Sequence, residues 1–347
     1  MPQTPETFAV APLAVRPQTA SRWLHGLGTK PLHRYAWRLA SVSGELALAA
    51  VGDRFAGQAP AVLEVAAGRA AMPGRALALY VHWSPNGAIS AMVRRQVALW
   101  RAQGFGVVFI SNAAPPAADW DAIAEDSVLR VRRRNLGHDF GAWRDALALA
   151  VPRFGQPEEL LLANDSVLGP FRPLGPLVAG WRAAGQGLFG MTESLAGGPH
   201  LQSYLLLARG VRAVAAVAAH LAAQHNSRSK WRVVQRGEIG LSRRLVGLDL
   251  PVGALFDYPT LCRHTDTAWR ATLGPRFAQP AALLRYPLNP THHLWRPRVE
   301  AMGFPYLKRE LLRQLPGART PGAEWRRFVP AAEAGLIDAH MEMMERR

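Results

Sequence analysis

Short apolar runs alternating with stretches of helical spacing dominate the chain from residue 75 onward. Ala76-Leu-Ala-Leu-Tyr-Val-His82 is nearly continuous in apolar character, which predicts a strand covered on both faces. Ser84-Pro85-Asn86-Gly87 reads as a turn. Ile89, Met92, Val93, Val97 and Trp100 then recur at helical spacing, with Arg94, Arg95 and Arg101 elsewhere on the surface, until Gly104 ends the segment. Gly106–Ser111 predicts a second buried strand, so the two strands and their helix form a βαβ unit. A third strand is expected over Val128–Arg132, and Phe140, Trp143, Leu147 and Ala150 mark another amphipathic helix. Leu160–Ala163 is a further buried strand, running out at Asn164-Asp165-Ser166. Strands near Leu188–Met191 and Ser203–Ala208 follow, then an alanine-rich helix over 210–224 and a last helix over Ala331–Arg347. The pattern predicts an α/β fold, an open, mostly parallel Rossmann-type sheet flanked by helices, with helical extensions at both ends.

Texture divides the chain further. Residues 1–20 read as a flexible lead rich in Pro and Thr. Residues 21–70 read as a helical segment that sets Trp23, Leu27, Tyr35, Trp37 and Leu39 among Arg22, Lys30, Arg34 and Arg38. Such a segment packs on its own domain or lies at a membrane surface, and Pro31 limits its helix. The main domain spans residues 75–312, and residues 313–347 read as a C-terminal helical tail.

Composition narrows the classes. The chain has 347 residues, 49% of them hydrophobic, enough to bury a large core. One cysteine, Cys262, excludes a disulfide framework and a multi-thiolate zinc site. The first residues lack the basic-then-apolar pattern of a signal peptide, and no stretch approaches the roughly 20 apolar residues of a membrane span. The expected location is the cytoplasm, with peripheral contact at the inner membrane as the alternative use of the basic aromatic segment. The formal charge is +16, yet of the 41 Lys and Arg residues only Lys30, Lys230 and Lys308 are lysine. The scattered arginines do not form a nucleic-acid module, so no nucleic-acid partner is expected, while phosphorylated substrates or anionic lipid suit the field.

Ligands of open α/β sheets bind beyond the carboxyl ends of the strands, where this chain collects its polar residues. No Gly-x-Gly-x-x-Gly follows the first strand and no P-loop is present, which argues against the usual nicotinamide and ATP chemistry. Asn135-Leu-Gly-His-Asp-Phe-Gly-Ala-Trp-Arg144 is the most informative stretch. Gly137 and Gly141 allow close backbone approach, Asp139 can cap the helix or contact a ligand, and Arg134 and Arg144 can attract a pyrophosphate. Asp165 at the end of a buried strand suits a divalent cation, magnesium or manganese, though Asn164-Asp165-Ser166 also reads as an Asx-turn.

These blocks resemble a known family. Asn135-x-Gly137-x-Asp139-Phe140-Gly141-x-Trp143 and Leu160-Leu-Leu-x-Asn164-Asp165-Ser166 are similar to the rhamnan synthesis protein F family of bacterial polysaccharide glycosyltransferases. His200-Leu-Gln-Ser-Tyr204, Glu238-Ile-Gly-Leu-Ser242 and Asn289-Pro-Thr-His-His-Leu-Trp295 match further blocks in order, over roughly residues 75–312. The resemblance implies a GT-A-like fold, a nucleotide-diphosphate sugar donor, and transfer (often of rhamnose) to a growing surface glycan or lipid-linked glycan. It implies Tyr80, His82 and Asn112 around the nucleoside, and Asn135, Asp139, Arg144 and Asn164 at the nucleotide sugar. Asp165 then faces the diphosphate, with His292 or His293 as a further metal ligand or simply a surface pair. The strand end carries one carboxylate where such enzymes usually carry Asp-x-Asp. Glu238 is the first candidate base and Glu193 the second, although Glu238 also suits a first-turn dipole role. His200, Gln202 and Ser203 are expected at the acceptor. A non-catalytic nucleotide-sugar or glycan-binding protein of the same fold is the alternative.

Overall fold

The computed structural model describes residues 8–14, 32–56, 61–313 and 322–345. Its strands are β1 (Ala11–Pro12), β2 (Val62–Ala67), β3 (Ala76–His82), β4 (Gly106–Ser111), β5 (Leu129–Arg133) and β6 (Glu159–Asn164). They continue as β7 (Val167–Leu168), β8 (Gly187–Ser194), β9 (His200–Leu201), β10 (Leu205–Arg209), β11 (Val252–Phe256) and β12 (Leu307–Lys308). The helices are α1 (Leu32–Ala56), α2 (Ala91–Ala102), α3 (Ala117–Ala122), α4 (His138–Phe154), α5 (Gly175–Ala183), α6 (Val211–Ala222) and α7 (Lys230–Arg232). After a π-helical stretch, Val233–Ile239, come α8 (Gly240–Gly247), α9 (Tyr258–His264), α10 (Thr267–Leu273), α11 (Ala281–Arg285), α12 (Trp295–Ala301), α13 (Arg309–Leu312) and α14 (Ala331–Glu345).

The main sheet runs β1-β11-β8-β10-β6-β3-β4-β5-β2, with β9 attached to β8. Strands β3, β4, β5 and β6 pair in parallel, as do β8 and β11. β10 is antiparallel to both β6 and β8, so the sheet is mixed where a mostly parallel one was expected. The cause is the short return from Ser194 to Leu205, which holds only β9 and lacks the helix that a parallel crossover requires. Side chains alternate across the sheet. Leu161 and Ala163 of β6 join one core with α2, α5, α9, α12 and α14. Leu160 and Leu162 join a second with α4, α6 and α8. The result is a large central sheet covered by helices on both faces.

Both ends of the chain differ from the expected extensions. Ala11 and Pro12, placed in the flexible lead by their composition, pair with Ala254 and Gly253 and extend the sheet edge. Residues 1–7 and 15–31, which include Trp23, Leu27 and Lys30 of the basic aromatic segment, lie outside the described residues. Within 21–70, α1 starts directly after Pro31, but Val62–Ala67 is an edge strand on β5. There Glu64 accepts from Arg132 and Trp120. Glu45 of α1 accepts from Ser229 Oγ and Trp231 N, and Ala49 is buried. On the same helix Trp37, Leu48 and Val51 are 75%, 78% and 61% exposed and recur along one stripe. Among the described residues no helix is long and apolar enough to cross a membrane. The expected C-terminal tail is part of the domain: Ile337 and Met341 of α14 enter the core, and Glu333 pairs with Arg95 of α2.

His340 of α14 is 1% exposed, and its Nδ1 lies 2.8 Å from Ser90 Oγ, the N-cap of α2. Burial pushes its pKa down to about 4, with the nearby Arg309 and His82 adding to the effect and Asp165 opposing it. The unfolded chain takes up a proton near the ordinary histidine pKa and the folded one does not. Stability from this group is therefore complete above about 6.5 and is lost as pH falls toward 4. Between pH 7 and 5 this site alone should cost about 2 kcal/mol. Urea unfolding of wild type and His340→Gln at the two pH values should show a shallower pH dependence in the variant.

Candidate active site at the carboxyl edge

The end of β6 is a hydrogen-bonded hub. Because successive side chains leave a strand on opposite faces, Asn164 and Asp165 diverge. Asn164 Nδ2 donates to Asp139 Oδ2 at the start of α4, at 2.8 Å. Asn164 Oδ1 accepts from Ser166 N at 3.1 Å and from the Ser166 hydroxyl. On the other side, Asp165 Oδ2 accepts from Trp83 N, just past β3, at 2.8 Å, and Oδ1 faces Arg309 Nη1 at 3.4 Å. Asn164 and Asp165 are both buried. Burial raises the Asp139 pKa and the Asp165 charge raises it further, so the two carboxylates flanking the strand end sense each other.

Lys308 and Arg309 arrive from 142 residues downstream through a two-residue antiparallel ladder. Leu307 pairs with Leu168 and Lys308 with Val167, and Arg309 N donates to Ser166 O at 3.0 Å. Lys308 Nζ donates to Ser166 Oγ at 2.7 Å and sits 5.4 Å from the centre of the Tyr204 ring. Burial lowers the Lys308 pKa, opposed by the charges of Glu310, Glu238 and Asp139 around it. Burial also works against ionisation of Glu310, but His292, Lys308 and Lys230 outweigh it and hold that carboxyl at about 2. His292 Nε2 lies 3.6 Å from Glu310. None of Lys308, Arg309 or Glu310 was picked out as a site residue from the sequence. The available signal was compositional, since Lys308 is one of three lysines in an arginine-rich chain and Lys230, another, also faces Glu310.

Glu238 lies in the π-helical stretch, a wider turn that is frequent at functional positions. Phe140 of α4 sets its position, because a Cβ on Gly237 would stand 2.8 Å from that ring. His220 Nε2 meets the Gly237 carbonyl at 3.0 Å. Glu238 Oε1 accepts from Ser203 N at 3.0 Å and lies 3.7 Å from His200 Nε2, while Oε2 meets no donor among the described residues. His200, Ser203 and Glu238 are thus brought together. Gln202 sits beside them but turns to Asn289 and Thr291, both at 3.4 Å, and accepts from Thr192.

Other candidates are placed elsewhere. The Tyr80 hydroxyl is buried on Gln96, and His82 is buried between Ser111 Oγ and Ala88 O and stacked on Phe109. Neither side chain borders an open site, because both point into the core between the sheet and α2. Asn112 is buried and accepts from Arg133 Nη1, whereas Arg134 and Asn135 are exposed past β5. Glu193 is 1% exposed and takes two backbone N–H groups, Ala14 at 2.8 Å and Tyr258 at 3.1 Å. Those bonds make it a tie between β8, the N-terminal strand and α9, with no oxygen left for a base. Arg144 pairs with Asp145 and donates to Gln224 O and Asn226 Oδ1. It lines a cavity of about 420 Å³ with Arg232, Arg236 and His225, so the predicted donor residues are divided between two places. Gly137 and Gly141 admit Asn226, not open space: a Cβ on either would stand 2.5 or 2.6 Å from Asn226 Oδ1.

Asp165, His292 and His293 do not gather into a ligand set. Asp165 faces Arg309, His292 faces Glu310, and His293 Nδ1 lies 3.3 Å from Asn289 O. Among the described residues no three His, Cys, Asp or Glu side chains are grouped to hold a metal ion.

No family model matches the chain. A protein of Sinorhizobium fredii (strain NBRC 101917 / NGR234), uncharacterized protein y4gN, is 29% identical over 132 residues. That match covers 37% of this chain and 34% of the relative, so the chain spans about a third of the curated relative it matches. Among solved structures, a "putative nucleotide-diphospho-sugar transferase" from Desulfovibrio desulfuricans G20 is 13% identical, with a TM-score of 0.31. It covers 61% of this chain and 94% of its own, and a likeness that distant carries no argument about fold or chemistry.

Gly141→Ala tests the reading of the glycines. The new methyl would also meet Leu136 O at 2.6 Å, so urea unfolding should show a loss of about 1–3 kcal/mol. Unchanged stability would return Gly141 to a ligand-approach role.

Proposed function

We propose that this chain is a glycosyltransferase that moves a sugar from a nucleotide-diphosphate donor to a growing bacterial surface polysaccharide. Rhamnose is the sugar suggested by the motif blocks, and a glycan or lipid-linked glycan is the acceptor. The observation that carries the reading is the Glu238 carboxylate, with one oxygen anchored on Ser203 N and the other open, beside His200 at the carboxyl edge. An acceptor hydroxyl presented to Oε2 would lose its proton to Glu238 as its oxygen bonds the anomeric carbon. The electron pair of the breaking bond leaves with the diphosphate. Asp139 and Asn164 would orient the sugar, and Asn135 and Arg134, exposed past β5, are open to the nucleotide.

Glu238→Gln should retain donor binding and slow transfer roughly a hundredfold. A panel of nucleotide sugars read by thermal shift and by nucleotide release supplies both measurements. Full transfer in the variant would remove Glu238 as the base. Binding by wild type without any release is the result expected of a non-catalytic binding protein.

A second observation concerns location. The stripe of Trp37, Leu48 and Val51 on α1 faces away from the body of the protein, and the chain carries a charge of +16. An apolar stripe on a basic protein suits an anionic bilayer, which would place a cytoplasmic enzyme at the inner face of the membrane beside a lipid-linked acceptor. Sedimentation with anionic vesicles should fall at least severalfold in the triple variant Trp37→Ser, Leu48→Ser, Val51→Ser. Equal sedimentation would remove the membrane contact.

A further inference from the structure

We infer that the donor diphosphate is held directly by the Lys308 ammonium and the Arg309 guanidinium, with no divalent cation between protein and phosphates. The inference rests on the donor-binding reading above and deepens it.

Magnesium and manganese require about six oxygen ligands in a near-octahedral shell, usually with one or two free carboxylates among them. At the end of β6 only one carboxylate oxygen, Asp139 Oδ1, is without a hydrogen-bond partner among the described residues. Asp165 Oδ2 is taken by Trp83 N and Oδ1 by Arg309, while Asp139 Oδ2 is taken by Asn164 Nδ2. Asn164 Oδ1 already accepts twice from Ser166, and Ser166 Oγ accepts from Lys308. A cation placed there would also stand beside two fixed positive charges.

Those charges fit an anion that bridges them. Consecutive residues leave the β12 ladder on opposite sides, so Lys308 serves the Ser166 and Asp139 side of the strand end and Arg309 the Asp165 side. Lys308 uses one of its three N–H donors on Ser166, and Arg309 uses one amino group on Asp165. The remaining donors have no acceptor among the described residues. Of the neighbouring carboxylates, Glu238 is anchored on Ser203 N and Glu310 lies between His292 and Lys230. Two adjacent cations with unused donors can bind a diphosphate and stabilise the charge that grows on it as the sugar leaves, the task a metal performs in other phosphoryl-group sites.

The test is calorimetric titration of the full chain with UDP, dTDP, GDP and ADP, in EDTA and again with magnesium or manganese. At least one nucleoside diphosphate should bind in EDTA, and added metal should change its affinity less than about threefold. Lys308→Met and Arg309→Gln should each weaken that binding roughly ten- to a hundredfold. Arg75→Gln, which removes an exposed charge before β3, should leave it unchanged. Arg309→Gln also frees Asp165 Oδ1, so manganese should restore part of the affinity in that variant alone. Thermal unfolding checks that both variants are folded, and the wild-type comparison stands without them. Binding that appears only with metal, or full affinity in both variants, overturns the inference and leaves sugar transfer intact. No nucleoside diphosphate binding in either condition removes both readings.

Discussion

The candidate site depends on how one buried carboxylate is held. Asp165 ends a strand at the centre of the sheet and is 5% exposed, a position where an unpaired charge would be costly. Its partners come from two distant parts of the chain: the backbone N–H of Trp83 after β3 and the guanidinium of Arg309 after β12. The β7–β12 ladder secures the second partner by pairing Lys308, next to Arg309, with Val167, two residues past Asp165. Lys308 follows from this arrangement, because the residue before Arg309 in the ladder must face the Ser166 side. One electrostatic requirement therefore ties β3, β6 and the C-terminal third into one edge.

The helix layer facing α4 is organised by the absence of side chains. Gly137 and Gly141 let Asn226 pack against the start of α4, and Gly237 lets the π-helical stretch lie on Phe140. These approaches bring Glu238 over the β9–β10 turn, where Ser203 N and His200 meet it. Arg144 is drawn into the same contact with Asn226 and so faces the arginine-lined cavity on the outer side of α4. Residues adjacent in the motif thus serve different purposes, Asp139 at the strand end and Arg144 in the wall beside it.

Charge has the same layered character. The +16 balance comes from scattered arginines, several of which pair with acids on the surface. Exposed pairs of this kind contribute little to stability. The basic groups that matter at the carboxyl edge are few and partly buried. Their pairing with Asp165, Ser166 and Glu310 gives them fixed positions, and a fixed cation stabilises developing charge without reorganising.

The α/β class, the strands β3 to β6 with α2 and α4, and the loop and strand end around which polar residues collect were legible in the sequence. Periodicity reports burial, and a strand buried on both faces leaves few other ways to read a run such as Leu160–Ala163. It also selected His200, Ser203 and Glu238, which lie together. Which polar residues face solvent and which close the core depended on long-range packing. Tyr80, His82 and Glu193 looked like site residues because they sit at strand ends, yet each side chain turns inward to satisfy buried groups. The antiparallel β10, the strand role of residues 11–12 and the docking of α14 depended on pairings across the chain. Lys308 and Arg309 were out of reach for the same reason. A two-residue strand has almost no periodicity of its own, and its position is set by partners more than a hundred residues away.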